Sequence, residues 1–268
     1  MRNQQGWIVL VLLVILTSSC GKFRKIQKNP DWRVKYEAAM KYYEKEDYFK
    51  ANLLLEEVLP IARGLPESET ILFYYAYSYY HQGQYLLASH NFRTFYQTYS
   101  RSPLAQEAEF MYAYSLYRES PNYNLDQSST VEAIVAMQIF LNKNPASRYR
   151  PEAIEIIDQL QVKLEKKAYE NSKQYYKVGR FQSAVIALDN FTKDYPASVF
   201  AEEIYFLKLD AQYNLAKLSI PDKREERYRE TVRLYQEFIE KFPNTSFRKD
   251  AESIHEDSSE KLNKIAEN

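Results

Sequence analysis

The chain has 268 residues, and its 36 basic side chains balance 36 acidic ones, so no global field draws it to nucleic acid. Only 5 glycines stand beside 25 tyrosines, and Ala, Leu, Glu and Lys are plentiful, which argues for helices rather than sheets. One cysteine, Cys20, leaves the body of the protein with no thiol and excludes a disulfide-stapled fold.

In chain order, the first element is a charged start at Arg2 followed by the apolar run Trp7 to Leu16. Ten apolar residues are too few for a stable membrane span but fit the core of a signal peptide. Thr17, Ser18 and Ser19 are small, and Cys20 follows at once. The arrangement resembles the bacterial lipobox, although the large aliphatic Leu16 lies four residues before the cysteine and Thr17 occupies the position three before. Residues 1–19 are thus expected to be removed, leaving Cys20 to carry covalent acyl chains, palmitate among them. A short uncleaved anchor and an ordinary cleaved signal stay open. Residues 20–30 are polar and basic with no acid before Asp31, and read as a lipidated tether, either solvated or lying on anionic headgroups.

The repeat governs residues 31–268. Phe95, Phe140, Phe191 and Phe238 are each followed after five residues by Ser100, Pro145, Pro196 or Pro243, and after seven by Ser102, Ser147, Ser198 or Thr245. Helices end before the proline, and the hydroxyl residue caps the next helix. Upstream, Ala51, Ala88, Ala133, Ala184 and Thr231 recur, with Gly83 and Gly179 at the turns that precede them. Small residues Ala39, Ala76, Ala113, Ser172 and Ala211 mark the first helix of each pair. Repeats three and five carry eight extra residues, at Ser120 to Ser129 and Ser219 to Arg227, which read as polar loops. The pattern closely resembles tetratricopeptide repeats. The expected fold is all-α: a right-handed superhelical solenoid of five helix pairs, closed by a polar capping helix from Ser246 to Ala266.

In such arrays the first helix of each pair lines the concave surface. Three residues before the small residue stand Tyr36, Phe73, Phe110, Tyr169 and Lys208. One after it stand Met40, Tyr77, Tyr114, Lys173 and Gln212, and four after it Tyr43, Tyr80, Tyr117, Tyr176 and Leu215. These offsets share one helix side. Repeats one to three therefore offer a candidate peptide groove of Tyr36, Tyr43, Phe73, Tyr77, Tyr80, Phe110, Tyr114 and Tyr117. The competing reading, that the rings only fill interhelix space, stays open.

Nothing in the sequence assembles a catalytic site. His81, His90 and His255 lack a metal-ligand spacing, no glycine-rich phosphate loop is present, and the mature body holds no cysteine nucleophile. No enzyme activity and no cofactor beyond the lipid on Cys20 are expected.

Lipobox, short tether, five repeats with the Phe-x-x-x-Tyr-Pro-x-Ser junction, and insertions in repeats three and five together resemble the BamD family of β-barrel assembly lipoproteins. That resemblance implies a lipid-anchored protein on the periplasmic face of the outer membrane. It implies two partners: the periplasmic domains of a BamA-type barrel protein at the C-terminal repeats, and the aromatic-rich C-terminal signal of unfolded barrel clients at the N-terminal ones. A repeat scaffold for cell-wall or division proteins, and a glycan-binding accessory lipoprotein, are the other readings.

Overall fold

The computed structural model describes residues 21–267; Cys20 and the segment before it lie outside them. The described chain is helical throughout and contains no strand. Eleven helices follow in order: α1 (Trp32–Glu44), α2 (Tyr48–Val58), α3 (Ser68–His81), α4 (Tyr85–Thr98), α5 (Ala105–Glu119), α6 (Ser128–Lys143), α7 (Arg150–Lys177), α8 (Phe181–Asp194), α9 (Ala201–Lys217), α10 (Pro221–Lys241) and α11 (Arg248–Ala266). The chain divides within α7 into two compact units, one ending at Leu160 and the other beginning at Gln161.

In the first unit each helix from α1 to α6 packs on the next, and α1 also touches α3. In the second, α8 to α11 pack consecutively, and α9 also touches α11. Such skip contacts between first helices of neighbouring pairs are the tetratricopeptide-like arrangement expected from the repeat. Residues 21–27, within the stretch read as a tether, are helical. Phe23 sets its ring edge-on to Tyr42 at 5.7 Å, and Gln27 donates to Glu57 at 2.9 Å.

The recurrent residues do what their spacing requires. Phe95, Phe140 and Phe238 are fully buried and Phe191 nearly so. Each carbonyl then closes its helix by accepting from Tyr99, Asn144, Phe242 or Tyr195 respectively. Ala51, Ala88, Ala133, Ala184 and Thr231 are also sealed, as are Ala39, Ala76 and Ala113, because any larger group there would hold two helices apart. Gly83 and Gly179 sit at φ +72° and +70°, and Glu46 takes the equivalent turn at +59°. The same pair of backbone bonds closes all three turns, shown by Glu46 N–H to Tyr43, Gly83 N–H to Tyr80 and Gly179 N–H to Tyr176.

The junction hydroxyls act one turn earlier than the sequence suggests. Ser102, Ser147, Ser198 and Thr245 accept from the amides of Leu104, Tyr149, Phe200 and Phe247, which precede the helices rather than begin them. The hydroxyl proton is thereby free to cross to the preceding pair. Ser102 donates to Glu69, Ser198 to Glu165, and Thr245 to Glu202 at 2.7 Å; Ser147 reaches Gln106 at 3.2 Å. Four residues after each of these acceptors stands an aromatic ring, and three of those rings stack on the residue two after the hydroxyl. The pairs are Phe110 with Tyr149 at 4.4 Å, Tyr169 with Phe200 at 4.1 Å, and Phe206 with Phe247 at 4.5 Å. Stacks of this kind contribute about 0.5–1.5 kcal/mol each beyond their burial.

Two sequence expectations are corrected. Residues 120–127 form a loop, but the second insertion is helix from Pro221 onward. Proline at the first helical position costs no hydrogen bond, and the run that follows is laced by pairs such as Arg229–Glu225 and Arg233–Glu237. The register of repeat five also shifts by two residues. Ala211 packs with Tyr169, Leu188 and Phe191 of the pair before, whereas Leu209 packs with Leu234 and Phe238 of its own pair. The ring matching Phe110 and Tyr169 is therefore Phe206, and Lys208 and Gln212 are buried.

Two stability tests follow. Nothing lies within 4 Å of a β-carbon built on Gly83, so Gly83→Ala tests backbone strain alone and should cost about 1 kcal/mol, while Glu46→Gly should gain up to that amount, both by denaturant titration. Ser198→Ala removes the bonds to Glu165 and to the Phe200 amide and should cost about 1–2 kcal/mol in the same measurement.

Candidate functional site

The first unit brings the predicted aromatic residues of α1, α3 and α5 onto one face but divides them by role. Phe73 and Phe110 are core: 6% and 3% exposed, they pack on Phe95 at 5.2 Å and on Phe140 at 5.5 Å. These two rings are therefore packed between helices and unreachable, whereas Tyr36, at the same offset in the first pair, is only half-buried. Tyr36, Tyr43, Tyr77, Tyr80, Tyr114 and Tyr117 are half-buried, with part of each ring reachable.

Tyr43, Tyr77, Tyr80, Tyr114 and Tyr117 form a connected array, with His81 as the link between Tyr43 and Tyr77. Tyr43 meets Tyr74 edge-on at 4.8 Å and Tyr48 at 5.2 Å. Tyr77 lies 6.5 Å from Tyr80, Tyr80 6.0 Å from Tyr114, and Tyr114 5.6 Å from Tyr117. Hydroxyls tie the array to the following repeat: Tyr77 donates to Glu107 at 2.6 Å, and Tyr117 to Gln159 at 2.9 Å. The other Glu107 oxygen receives Arg148 at 3.1 Å. Burial and the Glu107 bond push the Tyr77 phenol far above its ordinary value, so it stays a proton donor at any physiological pH. Among the described residues no side chain hydrogen-bonds the Tyr43 or Tyr114 hydroxyl.

Sequence reasoning passed over two residues at the centre of the face. His81 stacks on Tyr48 at 4.3 Å and on Tyr77 at 5.8 Å. Arg118 donates to Tyr80 at 3.1 Å and to Tyr85 at 2.6 Å. Both stand five after the small residue of their helix, one beyond the tyrosine at four after, with Glu44 and Lys177 at the same place in repeats one and four. That column was the available signal.

The second unit uses its tyrosines differently. Tyr169 is buried and donates to Glu203 at 2.6 Å, while Lys173 bonds both groups. Tyr176 donates to Asp210, and Tyr213 to Asp257 at 2.9 Å. Burial and Asp257 raise the Tyr213 phenol to about 12. Every one of these hydroxyls is committed to a carboxylate of the next helix pair, so this row fastens helices together. Among the described residues no group of three potential metal ligands gathers, and no helix is long and apolar enough to cross a membrane.

The His81 stack makes the first unit's face sensitive to acid. His81 is exposed at its edge, yet partial burial among the rings lowers the imidazole from its ordinary value, with Glu46 pulling the other way, and solvent screening keeps the effect small. The fold therefore favours the neutral ring. Its contribution is present above the ordinary value near 6.5 and is lost as pH falls through the lowered folded value. Denaturant titrations at about pH 7.5 and 5.5 should show the wild type losing stability between them, and His81→Phe, which keeps the stack, losing less.

No curated protein matches the chain. The family model for YfiO, described as an outer membrane lipoprotein, matches residues 29–182 and again 162–265, together nearly the whole described chain. With its helix pairs, its repeated junction and this match along their full length, the chain belongs to the YfiO family of outer membrane lipoproteins.

Proposed function

We propose that this protein is a non-catalytic scaffold of the outer-membrane β-barrel assembly machinery, anchored by lipid on Cys20 at the periplasmic face of the outer membrane. Its first three repeats receive the aromatic-rich ends of unfolded barrel clients. Its later repeats hold the periplasmic domains of a BamA-type barrel protein. The observation that carries the client half is the half-exposed tyrosine array of Tyr43, Tyr77, Tyr80, Tyr114 and Tyr117, which supports an extended chain of aromatic side chains by ring contact and phenol hydrogen bonds. Family membership supports the membrane half. The contrast with the second unit supports the division of labour: there the hydroxyls are spent on neighbouring carboxylates, and a folded partner is met by a rigid surface.

Two experiments test this. Co-isolation from detergent-solubilised outer membranes should recover a large β-barrel bearing periplasmic domains; recovery of cell-wall enzymes in its place would replace the proposal with a wall scaffold. Tyr77→Ala and Tyr114→Ala should each weaken binding of an aromatic-rich client peptide about tenfold, a loss of about 1.4 kcal/mol. Unchanged affinity alongside a large fall in melting temperature would assign both rings to packing alone.

A further inference from the structure

Residues 21–27 do not hang from the first unit as a loose linker; they are built into it. They are helical, and the short helix is held by both members of the first pair. Phe23 meets the ring of Tyr42, near the end of α1, at 5.7 Å, and Gln27 donates to Glu57, near the end of α2, at 2.9 Å. Lys35, near the start of α1, reaches the same Glu57 at 2.5 Å, so the short helix runs antiparallel to α1. The connection between them has no slack. Asn29 accepts from the Asp31 amide at 2.8 Å, and Asp31 accepts from the Arg33 amide at 2.9 Å.

One side of this helix is spent on packing, and what remains is basic. Phe23, Ile26 and Gln27 are half-buried, whereas Lys22, Arg24, Lys25 and Lys28 are exposed, and no acid occurs between Gly21 and Pro30. Among the described residues none of these four cations has a carboxylate partner. Lys35 and Lys50 of the same pair differ, being matched with Glu57 and Asp47. Four cations on one fixed face are complementary to an anionic surface. The course of the chain narrows the choice of surface. Gly21 follows Cys20 directly, and Cys20 carries the acyl chains in the reading above. Because the short helix runs antiparallel to α1, it begins at the α1–α2 turn, where Phe49 is 62% exposed. An apolar ring and a row of cations, beside the residue that bears lipid, match a phospholipid surface better than an acidic protein.

We propose that the basic face of residues 21–28 is a docking surface for anionic phospholipid headgroups, and that it holds the first helix pair against the leaflet. The surface rests on the lipid-anchor reading and goes beyond it. Acyl chains on a loose linker retain a protein without orienting it. A second contact, through a helix fixed to α1 and α2, sets which end of the first pair meets the membrane. Each basic residue near an anionic surface strengthens attachment about fivefold.

Vesicle flotation at low ionic strength, with the full mature chain carrying Cys20→Ser, tests the surface with no acyl chain to mask it. The chain should float with vesicles of equimolar phosphatidylcholine and phosphatidylglycerol, stay behind with phosphatidylcholine alone, and detach in high salt. Lys25→Gln and Lys28→Gln should each weaken attachment about fivefold, and neutralising all four cations should abolish it. Lys25→Arg and Lys28→Arg, which keep the charge, should bind as the parent does. Arg63→Gln and Arg101→Gln, at exposed cations elsewhere in the first unit, should leave attachment unchanged. Equal flotation with neutral and anionic vesicles, or equal losses from the Arg63 and Arg101 changes, would overturn the surface. Preference for polyglutamate over anionic vesicles in competition would reassign the face to an acidic protein and overturn the lipid assignment. No flotation with anionic vesicles would overturn the surface and leave the anchor reading standing, because acylation of Cys20 is read separately from the mass of the chain recovered from membranes.

Discussion

The constraint beneath everything else is that no helix pair here can bury its own apolar face, so each must be fastened to the next. The fastening is a repeated three-part contact: a sealed phenylalanine at the end of one pair, a hydroxyl that crosses to an acceptor on the preceding pair, and a ring stack beside it. The hydroxyl is used twice, accepting from a turn amide and donating to Glu69, Gln106, Glu165 or Glu202. One side chain thereby shapes the connection and sets the distance to its neighbour. A half-buried glutamate-to-hydroxyl bond is also directional, which apolar packing is not, so it fixes register as well as proximity.

The tyrosines extend this logic and then depart from it. In the second unit Tyr169, Tyr176 and Tyr213 give their protons to Glu203, Asp210 and Asp257, and burial beside those carboxylates keeps the phenols protonated. They are part of the fastening. In the first unit Tyr77 gives its proton to the Glu107 carboxylate and Tyr117 to the Gln159 amide oxygen, whereas Tyr80 and Tyr85 face a cation. Reversing the charge of one partner reverses what the phenol shows to solvent, from a satisfied donor to an available one. The phenols of the second unit thus close on carboxylates, whereas Tyr80 and Tyr85 accept from Arg118.

Membership of a family of outer membrane lipoproteins gives the proposed division of labour a setting. Rigid pairs suit a folded partner, and half-exposed rings suit a chain not yet folded, because aromatic contact tolerates many side chains while hydrogen bonds to the main chain do not read sequence.

The sequence by itself determined the repeat. Phe, Ala and Gly recur at spacings fixed by local helix geometry, and each lands where the spacing puts it: Phe140 and Ala133 sealed, Gly83 in a left-handed turn. It also determined that residues 31 to 117 carry a tyrosine-rich side. Only the tertiary structure decided which rings on that side are reachable. Phe73 and Phe110 share a stripe with Tyr77 and Tyr114, yet burial depends on where the neighbouring helix lies, and spacing within one helix holds no information about its neighbour. The same reason explains the shift in repeat five, where Leu209 and Ala211 are equally plausible crossing residues until Phe238 and Phe191 choose between them. It explains the helix after Pro221, which reads as a loop until its pairs close, and it explains Arg118, whose meaning comes from two hydroxyls 38 and 33 residues away in the chain.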